Sequence, residues 1–356
     1  MKIVHTDLHG FMLFEDLDVS WSDNINIISG ENSTGKTTVL KALYSATKPL
    51  TAPDFLKLTK EQQEQRFVNK MLGVFRPDEM HLGRLTRRKQ GMNATCCNIS
   101  FDGNRSVDLS FNSKKTNHAD LQVQGLQGEK FDAVFLPTKE MISNTEHFAS
   151  LYEDYHIDFE ETYYDLVKLL DRPLSKGPNT SDQRRVISSL QDIILGNVVQ
   201  KDRKFYLEES GAGIFEMGLV SEGYRKIAIL LYLVLTGSLG ANTILFWDEP
   251  ETNMNPKMMR PLVSAMVELA RSGVQIFVTT HDYFLIQEFN LYNVYPQLLN
   301  RGGESLDIRF YSLYAEEGRG ISVETGRDVT EMEHNSIMQQ FDEMYKREQD
   351  LMYGTK

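Results

Sequence analysis

Residues 30–38 read Gly30-Glu31-Asn32-Ser33-Thr34-Gly35-Lys36-Thr37-Thr38, and this stretch decides the fold. An apolar run at 25–29 precedes it and a helix-forming run at 39–44 follows it, so the predicted order is strand, glycine loop, helix. The two glycines let the backbone turn without a Cβ in the way, and the loop N–H groups can form an anion nest at the helix N-terminus. Lys36 can then reach the β- and γ-phosphates of a nucleotide, while the Thr37 hydroxyl can bind Mg²⁺. The stretch therefore predicts a phosphate-binding P-loop.

A second apolar strand ends in carboxylates. Residues 244–247 are apolar, as expected for a strand buried on both faces of a parallel sheet, and Asp248-Glu249-Pro250-Glu251 follows. Two adjacent acids are also common in ordinary loops, but the P-loop favours a functional interpretation. Asp248 is then the expected Mg²⁺ ligand, and Glu249 is the expected general base for a water that attacks the γ-phosphate.

Two further candidates lie at the ends of predicted elements. His281 follows the apolar strand 274–280, where its ring could reach the γ-phosphate or the attacking water. Ser221-Glu222-Gly223 precedes the strongly apolar helix 227–235 and could form a second anion site. A lone histidine is usually structural and a serine before a helix is usually a cap, so only the other motifs favour the functional interpretation.

The composition is that of an ordinary soluble globular protein. The chain has 356 residues, of which 41% are apolar and 25% charged, enough for a large core and about two domains. It opens without a signal-like segment, and the longest apolar run, 227–235, is too short to span a bilayer. Cys96 and Cys97 are adjacent and make neither a disulfide framework nor a zinc site. We therefore expect a cytoplasmic protein without membrane contact.

Charge argues against general nucleic-acid binding. The net charge is −12, so contact with DNA or RNA would need a local patch. The basic run from Arg84 to Lys89 is the one candidate, and it is either a phosphate-binding patch or a solvated loop. Phe11 and Phe14, just upstream of the P-loop, leave a similar choice between stacking on adenine and packing as strand aromatics.

Four units are expected along the chain. They are an N-terminal β lobe with the P-loop (1–50), an inserted lid or helical lobe with a β-hairpin (51–215), a half with the serine, carboxylate and histidine motifs (216–300), and a C-terminal β-pair and helix (301–356). The expected strands are 2–6, 11–19, 24–29, 95–101, 106–111, 131–137, 198–200, 204–208, 243–248, 274–280, 308–314 and 321–324, and the expected helices are 36–47, 59–72, 148–170, 183–195, 227–235, 257–270, 283–290 and 335–351.

The order of these motifs resembles that of ABC-type ATPase heads. The Asp248–Glu251 box and the strand end Thr280–Leu285 are similar to those of the OLD-type and Septu-type ATP-binding proteins of bacterial phage defence. The resemblance covers residues 1–290 in motif order. It implies an α/β P-loop NTPase fold with a mixed central sheet, an N-terminal β lobe and an inserted helical lobe.

The resemblance also implies roles for individual residues. ATP and Mg²⁺ would be bound between two copies, with residues 30–38 on one copy and Ser221, Glu222 and Gly223 reaching the nucleotide in trans from the other. Lys36, Glu249 and His281 would be catalytic, with His281 as the switch histidine. The loop that joins the two lobes would be Thr138–Glu140.

Two features separate the chain from its apparent relatives. OLD-type nucleases carry a further α/β nuclease unit after the ATPase, and no clustered carboxylates for one follow residue 281, so we expect no nuclease activity in this chain itself. The segment between the two nucleotide motifs has no sustained heptads, which argues against a coiled-coil arm.

Three hypotheses follow. The first is an ATPase that dimerises around ATP and regulates a separate effector, a nuclease or toxin, in an anti-phage or toxin–antitoxin-like system. The second is a DNA-binding repair clamp like RecF that uses the basic run. The third is a scaffold in which ATP holds two copies together with negligible turnover.

Overall fold

The computed structural model describes residues 1–126, 130–176, 180–299, 305–316 and 320–354. The strands are β1 Ile3–Phe11, β2 Phe14–Ser20, β3 Ile25–Gly30, β4 Ala94–Phe101, β5 Arg105–Asn112, β6 Asp120–Gln124, β7 Asp132–Leu136, β8 Gly196–Lys201, β9 Lys204–Glu209, β10 Gly213–Glu216, β11 Thr243–Asp248, β12 Gln275–Thr279, β13 Ile308–Glu316 and β14 Gly320–Gly326. The helices are α1 Lys36–Thr47, α2 Lys60–Phe75, α3 Phe148–Tyr155, α4 Glu161–Leu170, α5 Ser181–Ile194, α6 Glu222–Leu235, α7 Met259–Arg271, α8 Tyr283–Val294, α9 Pro296–Leu299 and α10 Ser336–Tyr353.

A six-stranded mixed sheet organises the fold, with strand order β14-β13-β3-β12-β11-β7. β13, β3, β12, β11 and β7 pair in parallel, and β14 pairs antiparallel with β13. β3, β11 and β12 are buried along their whole length, as their apolar sequences predict for central parallel strands. Because parallel strands end at one edge, the segments after β3, β7, β11 and β12 all leave the sheet together.

The two faces of this sheet have separate apolar cores. Ile244 and Phe246 of β11 pack into one core with α1, α2 and the antiparallel sheet β2-β1-β4-β5-β6. Leu245 and Trp247 alternate with them and pack into the other core, which includes α4 to α8. The structure is therefore layered, and the central sheet lies between two apolar layers.

Most expected elements are confirmed, and several helix starts have local causes. α1 has the predicted bounds, and α2 begins after a capping box in which Thr59 and Gln62 bond reciprocally. Thr180 and Gln183 form the same box before α5. Among the described residues, no helix is both long and apolar enough to cross a membrane.

Two expected elements were wrong. The strand expected over 11–19 is a hairpin, because the chain reverses at Met12, whose φ of 48° lies in the left-handed region. The helix expected over 148–170 is two helices, since His156 ends α3 with a φ of 50°. In both places the turn uses a residue other than glycine, so composition gave no signal.

The sheets cross the boundaries of the four expected units. β7 falls within 51–215 but is an edge strand of the six-stranded sheet, and β13 and β14, within 301–356, form its other edge. β4 pairs with β1, so the expected inserted hairpin extends the N-terminal β lobe. The mixed central sheet is thus assembled from all parts of the chain.

Candidate nucleotide and magnesium site

The loop between β3 and α1 has the backbone that a P-loop needs. Gly30 and Gly35 have φ values of 147° and 93°, which other residues rarely adopt. A Cβ on Gly30 would lie 2.3 Å from the carbonyl oxygen of Leu313, and one on Gly35 would lie 2.6 Å from the Phe14 ring. The loop therefore packs directly on β13 and on the start of β2, and both glycines are required.

Lys36 is folded back on this loop. Its Nζ donates to the carbonyl oxygens of Gly30 and Glu31, each at 2.9 Å. Burial lowers the pKa of Lys36, while the nearby carboxylates, led by Glu249 and Asp248, act in the opposite direction. The ammonium is thus poised at the mouth of the loop, where a phosphate would accept its hydrogen bonds.

The carboxylate of Asp248 lies against the start of α1. Its Oδ1 accepts hydrogen bonds from the Thr37 hydroxyl at 2.8 Å and the Thr279 hydroxyl at 2.6 Å. Its Oδ2 accepts from the Thr138 hydroxyl at 3.0 Å. The P-loop and the acidic strand end, 211 residues apart, therefore meet at one point. Thr138 was expected only near a connecting loop, and the structure gives it a direct contact with this carboxylate.

The donor set at this point fits Mg²⁺. A threonine hydroxyl and a carboxylate are hard oxygen ligands, and Mg²⁺ in such sites keeps waters and substrate phosphate oxygens as its other ligands. In the part of the chain that the structure describes, no group of three His, Cys, Asp or Glu side chains could hold a metal unaided. Thr37 and Asp248 would thus hold the ion together with a nucleotide.

Glu249 and His281 lie side by side next to Asp248. Glu249 Oε1 is 3.2 Å from His281 Nδ1, and both side chains are accessible, with 27% and 51% of their surface exposed. The backbone of Glu249 has a φ of 46°, and its N–H donates to the hydroxyl of Thr279 at 3.1 Å. This strained turn directs the side chain of Glu249 away from the strand and toward the open edge.

Comparison with known proteins identifies the fold that carries this site. A family model described as "AAA domain, putative AbiEii toxin, Type IV TA system" matches residues 142–287, and a second AAA-domain model matches residues 7–150. The chain is similar to the head of Smc bound to the C-winged helix domain of ScpA, with a TM-score of 0.56, 10% identity, and coverage of 92% of this chain and 98% of that one. It is also similar to the Smc head with an extended coiled coil, bound to the C-terminal domain of ScpA derived from Pyrococcus furiosus, with a TM-score of 0.53, 9% identity, and coverage of 97% and 99%. The chain has the P-loop NTPase fold of an SMC or ABC ATPase head.

Two curated relatives match shorter parts of this chain. The cell division ATP-binding protein FtsE of Escherichia coli K12 is 25% identical over 156 residues, 44% of this chain and 61% of FtsE. The DNA replication and repair protein RecF of Halalkalibacterium halodurans is 46% identical over 44 residues, 12% of each chain. The matched part of the chain thus spans about three fifths of the length of FtsE and much less of RecF.

The side chain of Glu251 has a structural role. Its Oε1 accepts hydrogen bonds from the Thr280 hydroxyl at 2.7 Å and from the backbone N–H of His281 at 3.0 Å. Only 5% of its side chain is exposed, and burial raises its pKa. Glu251 thereby fixes the strand end that carries His281, a role that its place as the last acid of the box did not reveal.

Ser221, Glu222 and Gly223 lie at the start of α6. Ser221 is the N-cap residue, is exposed, and makes no side-chain cap hydrogen bond. Among the described residues, no hydrogen bond joins these three to residues 30–38. The Ser221 hydroxyl is therefore available to a ligand outside its own helix.

Two other sequence candidates have structural roles. Phe11 and Phe14 are fully buried in the core, so neither ring is available to an adenine base. In the basic run, Arg84 pairs with Asp78 and Glu79, and Lys89 pairs with Glu15. Arg87 lies 3.8 Å from Glu15, so acidic neighbours oppose most of this run's charge.

Proposed function

We propose that this chain is an ATPase that hydrolyses ATP with Mg²⁺ at the edge where β3, β7, β11 and β12 end. The observation that carries the proposal is the 2.8 Å hydrogen bond between Thr37 and Asp248, with Glu249 and His281 beside it. Lys36 would bind the β- and γ-phosphates in place of its present carbonyl partners, and residues 30–38 would surround them with N–H groups.

The remaining residues would act on the attacking water. Glu249 would accept its proton, and His281 would hydrogen-bond to Glu249 or to the γ-phosphate. Mg²⁺ held by Thr37 and Asp248 would supply positive charge to the phosphate oxygens. The three hydroxyls around Asp248 fix its orientation, so little rearrangement is needed before reaction.

We infer further that two copies form composite sites. Among the described residues, Ser221 and Gly223 make no hydrogen bond to residues 30–38, and the Ser221 hydroxyl does not cap its own helix. The γ-phosphate of an ATP bound to a second copy would give Ser221 and Gly223, which lie at a helix N-terminus, a hydrogen-bond partner. Each ATP would then lie between residues 30–38 of one copy and Ser221–Gly223 of the other.

The first test is turnover in single variants. Lys36→Ala and Glu249→Gln should each lower ATP hydrolysis at least about 100-fold, by loss of phosphate binding and of the base respectively. Lys60→Met, which changes an exposed lysine at the start of α2, is the matched control and should retain full activity. Unchanged turnover in both site variants would refute the assignment.

The second test is complementation between inactive chains. Ser221→Arg should block the serine contact, and Lys36→Ala should remove the P-loop lysine, so each homodimer should be inactive. A mixture contains a heterodimer with one intact composite site, and it should recover measurable hydrolysis. A mixture as inactive as its parents would rule out the composite site.

We propose that ATP turnover regulates a separate effector, a nuclease or toxin, in an anti-phage or toxin–antitoxin-like system. Support comes from the likeness of the Asp248–Glu251 box to OLD-type and Septu-type proteins and from the toxin–antitoxin description of the family model matching 142–287. Co-purification with the product of an adjacent gene, with native mass measured with and without ATP in Glu249→Gln, tests this. An effector whose binding and activity ignore ATP would refute it.

The alternative is a RecF-like DNA-binding ATPase, supported by the 44-residue match to RecF. The net charge of −12 and the carboxylate partners of the basic run oppose it. ATP-dependent, salt-sensitive binding of duplex DNA, lost in a double Arg87→Ala and Arg88→Ala variant, would favour it over effector regulation.

A further inference from the structure

Lys226 of α6 makes an unusual set of contacts. It lies in the apolar part of the helix, is 2% exposed, and burial lowers its pKa. Its Nζ donates to three main-chain carbonyl oxygens in the turn after β11: those of Thr252 at 2.9 Å and of Glu249 and Pro250 at 3.4 Å each. Because this buried ammonium donates only to main-chain carbonyl oxygens, it holds the backbone of the turn in place.

Two other contacts fasten the same turn to the start of α6. Asn253 Nδ2 donates to Glu222 Oε2 at 2.9 Å. Met254 packs so closely on Gly223 that a Cβ there would lie 3.3 Å from the Met254 side chain. The residues that follow Glu249 therefore rest on the residues proposed to contact the nucleotide of a second copy.

The adjacent arginine holds a second segment of the site. Arg225 Nη1 lies 2.8 Å from Glu140 Oε1 and 3.1 Å from the Ser143 hydroxyl, and the Glu140 side chain is only 7% exposed. Two residues before Glu140, Thr138 donates to Asp248. The first turns of α6 therefore contact both segments that lie next to Asp248, the proposed Mg²⁺ ligand. These segments are the one that carries Thr138 and Glu140 and the turn after β11.

We propose that Lys226 is a positioning residue that ties the placement of Glu249 to the start of α6. Without the hydrogen bonds from Lys226, the turn at 249–252 would shift and the general base would lose its place. The inference rests on the proposed function of Glu249, and its test uses the proposed composite site. It predicts that loss of Lys226 slows ATP hydrolysis only in the chain that supplies Glu249.

The experiment uses the complementing mixture, because it makes only one composite site. In that heterodimer, the Ser221→Arg chain supplies the P-loop, Asp248 and Glu249, and the Lys36→Ala chain supplies the intact serine contact. The substitution Lys226→Met removes the ammonium donors and keeps most of the side-chain length. It is introduced into one chain or the other. ATP hydrolysis is then measured over a range of ATP concentrations.

Lys226→Met in the chain that supplies Glu249 should lower kcat about tenfold or more with KM for ATP unchanged, because a displaced base is costly to the reaction and not to binding. In the chain that supplies the serine contact, it should leave kcat unchanged. Lys226→Arg, which keeps donors and charge, should restore activity at least in part, and Lys60→Met in the same chain should have no effect.

Three results would overturn the inference. Lys226→Met could lower activity only when it is in the chain that supplies the serine contact, lower it equally in either chain, or lower it in neither. The first two would mean that Lys226 merely shapes the serine contact. If Lys226→Met does not fold, Lys226→Gln, with a shorter donor, replaces it in the same mixtures. If the parental mixture is inactive, the composite site itself has failed, and an unchanged kcat for Lys226→Met in the homodimer would separately refute the positioning role.

Discussion

Replacement of Lys70 by methionine should destabilise the protein, because this lysine neutralises a buried acidic cluster beside α1, the helix that follows the P-loop. Its Nζ pairs with Glu161 and, at 2.9 Å, with Asp165, and only 12% of the lysine side chain is exposed. Asp165 also accepts a 2.5 Å hydrogen bond from the hydroxyl of Tyr44, which lies on α1. Lys70→Met would leave two carboxylates in a buried site without a cation. Breaking such a pair from one side costs about 3–5 kcal/mol.

The cost should depend on pH. Burial raises the pKa of Glu161, the neighbouring charge of Asp165 adds to this, and Lys70 opposes it. When a carboxyl group has a higher pKa in the folded state than in the unfolded state, the protein loses stability as the pH rises from the unfolded pKa of that group through its folded pKa. Without Lys70 the folded pKa of Glu161 rises further, so the loss becomes larger and extends to higher pH. The variant should therefore be closest to the wild type near pH 5 and furthest from it near pH 8.

Thermal unfolding at these two pH values measures the effect. At pH 8 the midpoint should fall by roughly 5–10 °C, and by clearly less at pH 5. Lys168→Met on α4 is the control, since Lys168 is 52% exposed and pairs weakly with Glu153, and it should leave the midpoint unchanged. Adding Glu161→Gln to Lys70→Met should recover much of the loss. Equal midpoints for Lys70→Met and the wild type at pH 8, or a larger loss at pH 5, would refute the reasoning.

Three further predictions concern the site and its surroundings. Gly35→Ala should weaken ATP binding at least about tenfold and lower the free energy of unfolding by about 1–3 kcal/mol, because the new Cβ would meet the Phe14 ring. Calorimetric titration would measure the first effect and thermal unfolding the second. Tight ATP binding by this variant would contradict the P-loop packing. Thr279→Val should weaken Mg²⁺-dependent ATP binding about 10–100-fold, since the Asp248 carboxylate loses a 2.6 Å hydrogen bond, and a magnesium titration with unchanged midpoint would contradict it. Of the two thiols, Cys96 is exposed and Cys97 is buried with a raised pKa, so a disulfide reagent should modify one thiol in the folded protein and the second only after unfolding; rapid reaction of both would contradict the burial.

The fold and the meeting of the two nucleotide motifs were predictable for a simple reason. Apolar runs that are buried on both faces identify central parallel strands, and parallel strands end at one edge. Polar residues that follow such runs, at 30–38, at Asp248 and at His281, therefore had to lie together, and the contact between Thr37 and Asp248 agrees with this.

The residues that complete the site were not predictable, because their roles depend on neighbours that are distant in sequence. Thr138 reaches Asp248 only because β7 pairs with β11, and short apolar segments such as 132–136 do not reveal which strand they join. Lys226 gave a signal that could have been used: a lysine within an otherwise apolar helix needs buried acceptors. Its acceptors were backbone carbonyls, which carry no sequence signature.

Charge balance favours the proposal that the site binds ATP with a metal and between two copies. Asp248, Glu249 and Glu251 lie at or just after the end of β11, and their charges act on Lys36. A nucleotide triphosphate would add several negative charges beside these three carboxylates, and one partly desolvated lysine cannot offset that total. Mg²⁺ held by Thr37 and Asp248 would supply two further positive charges, and the N-terminus of a partner's α6 would supply N–H groups without adding a carboxylate at the γ-phosphate. If the proposed composite site is correct, the acidic strand end should bind ATP poorly alone and better with its metal between two copies, so we expect dimer assembly to depend on ATP and Mg²⁺.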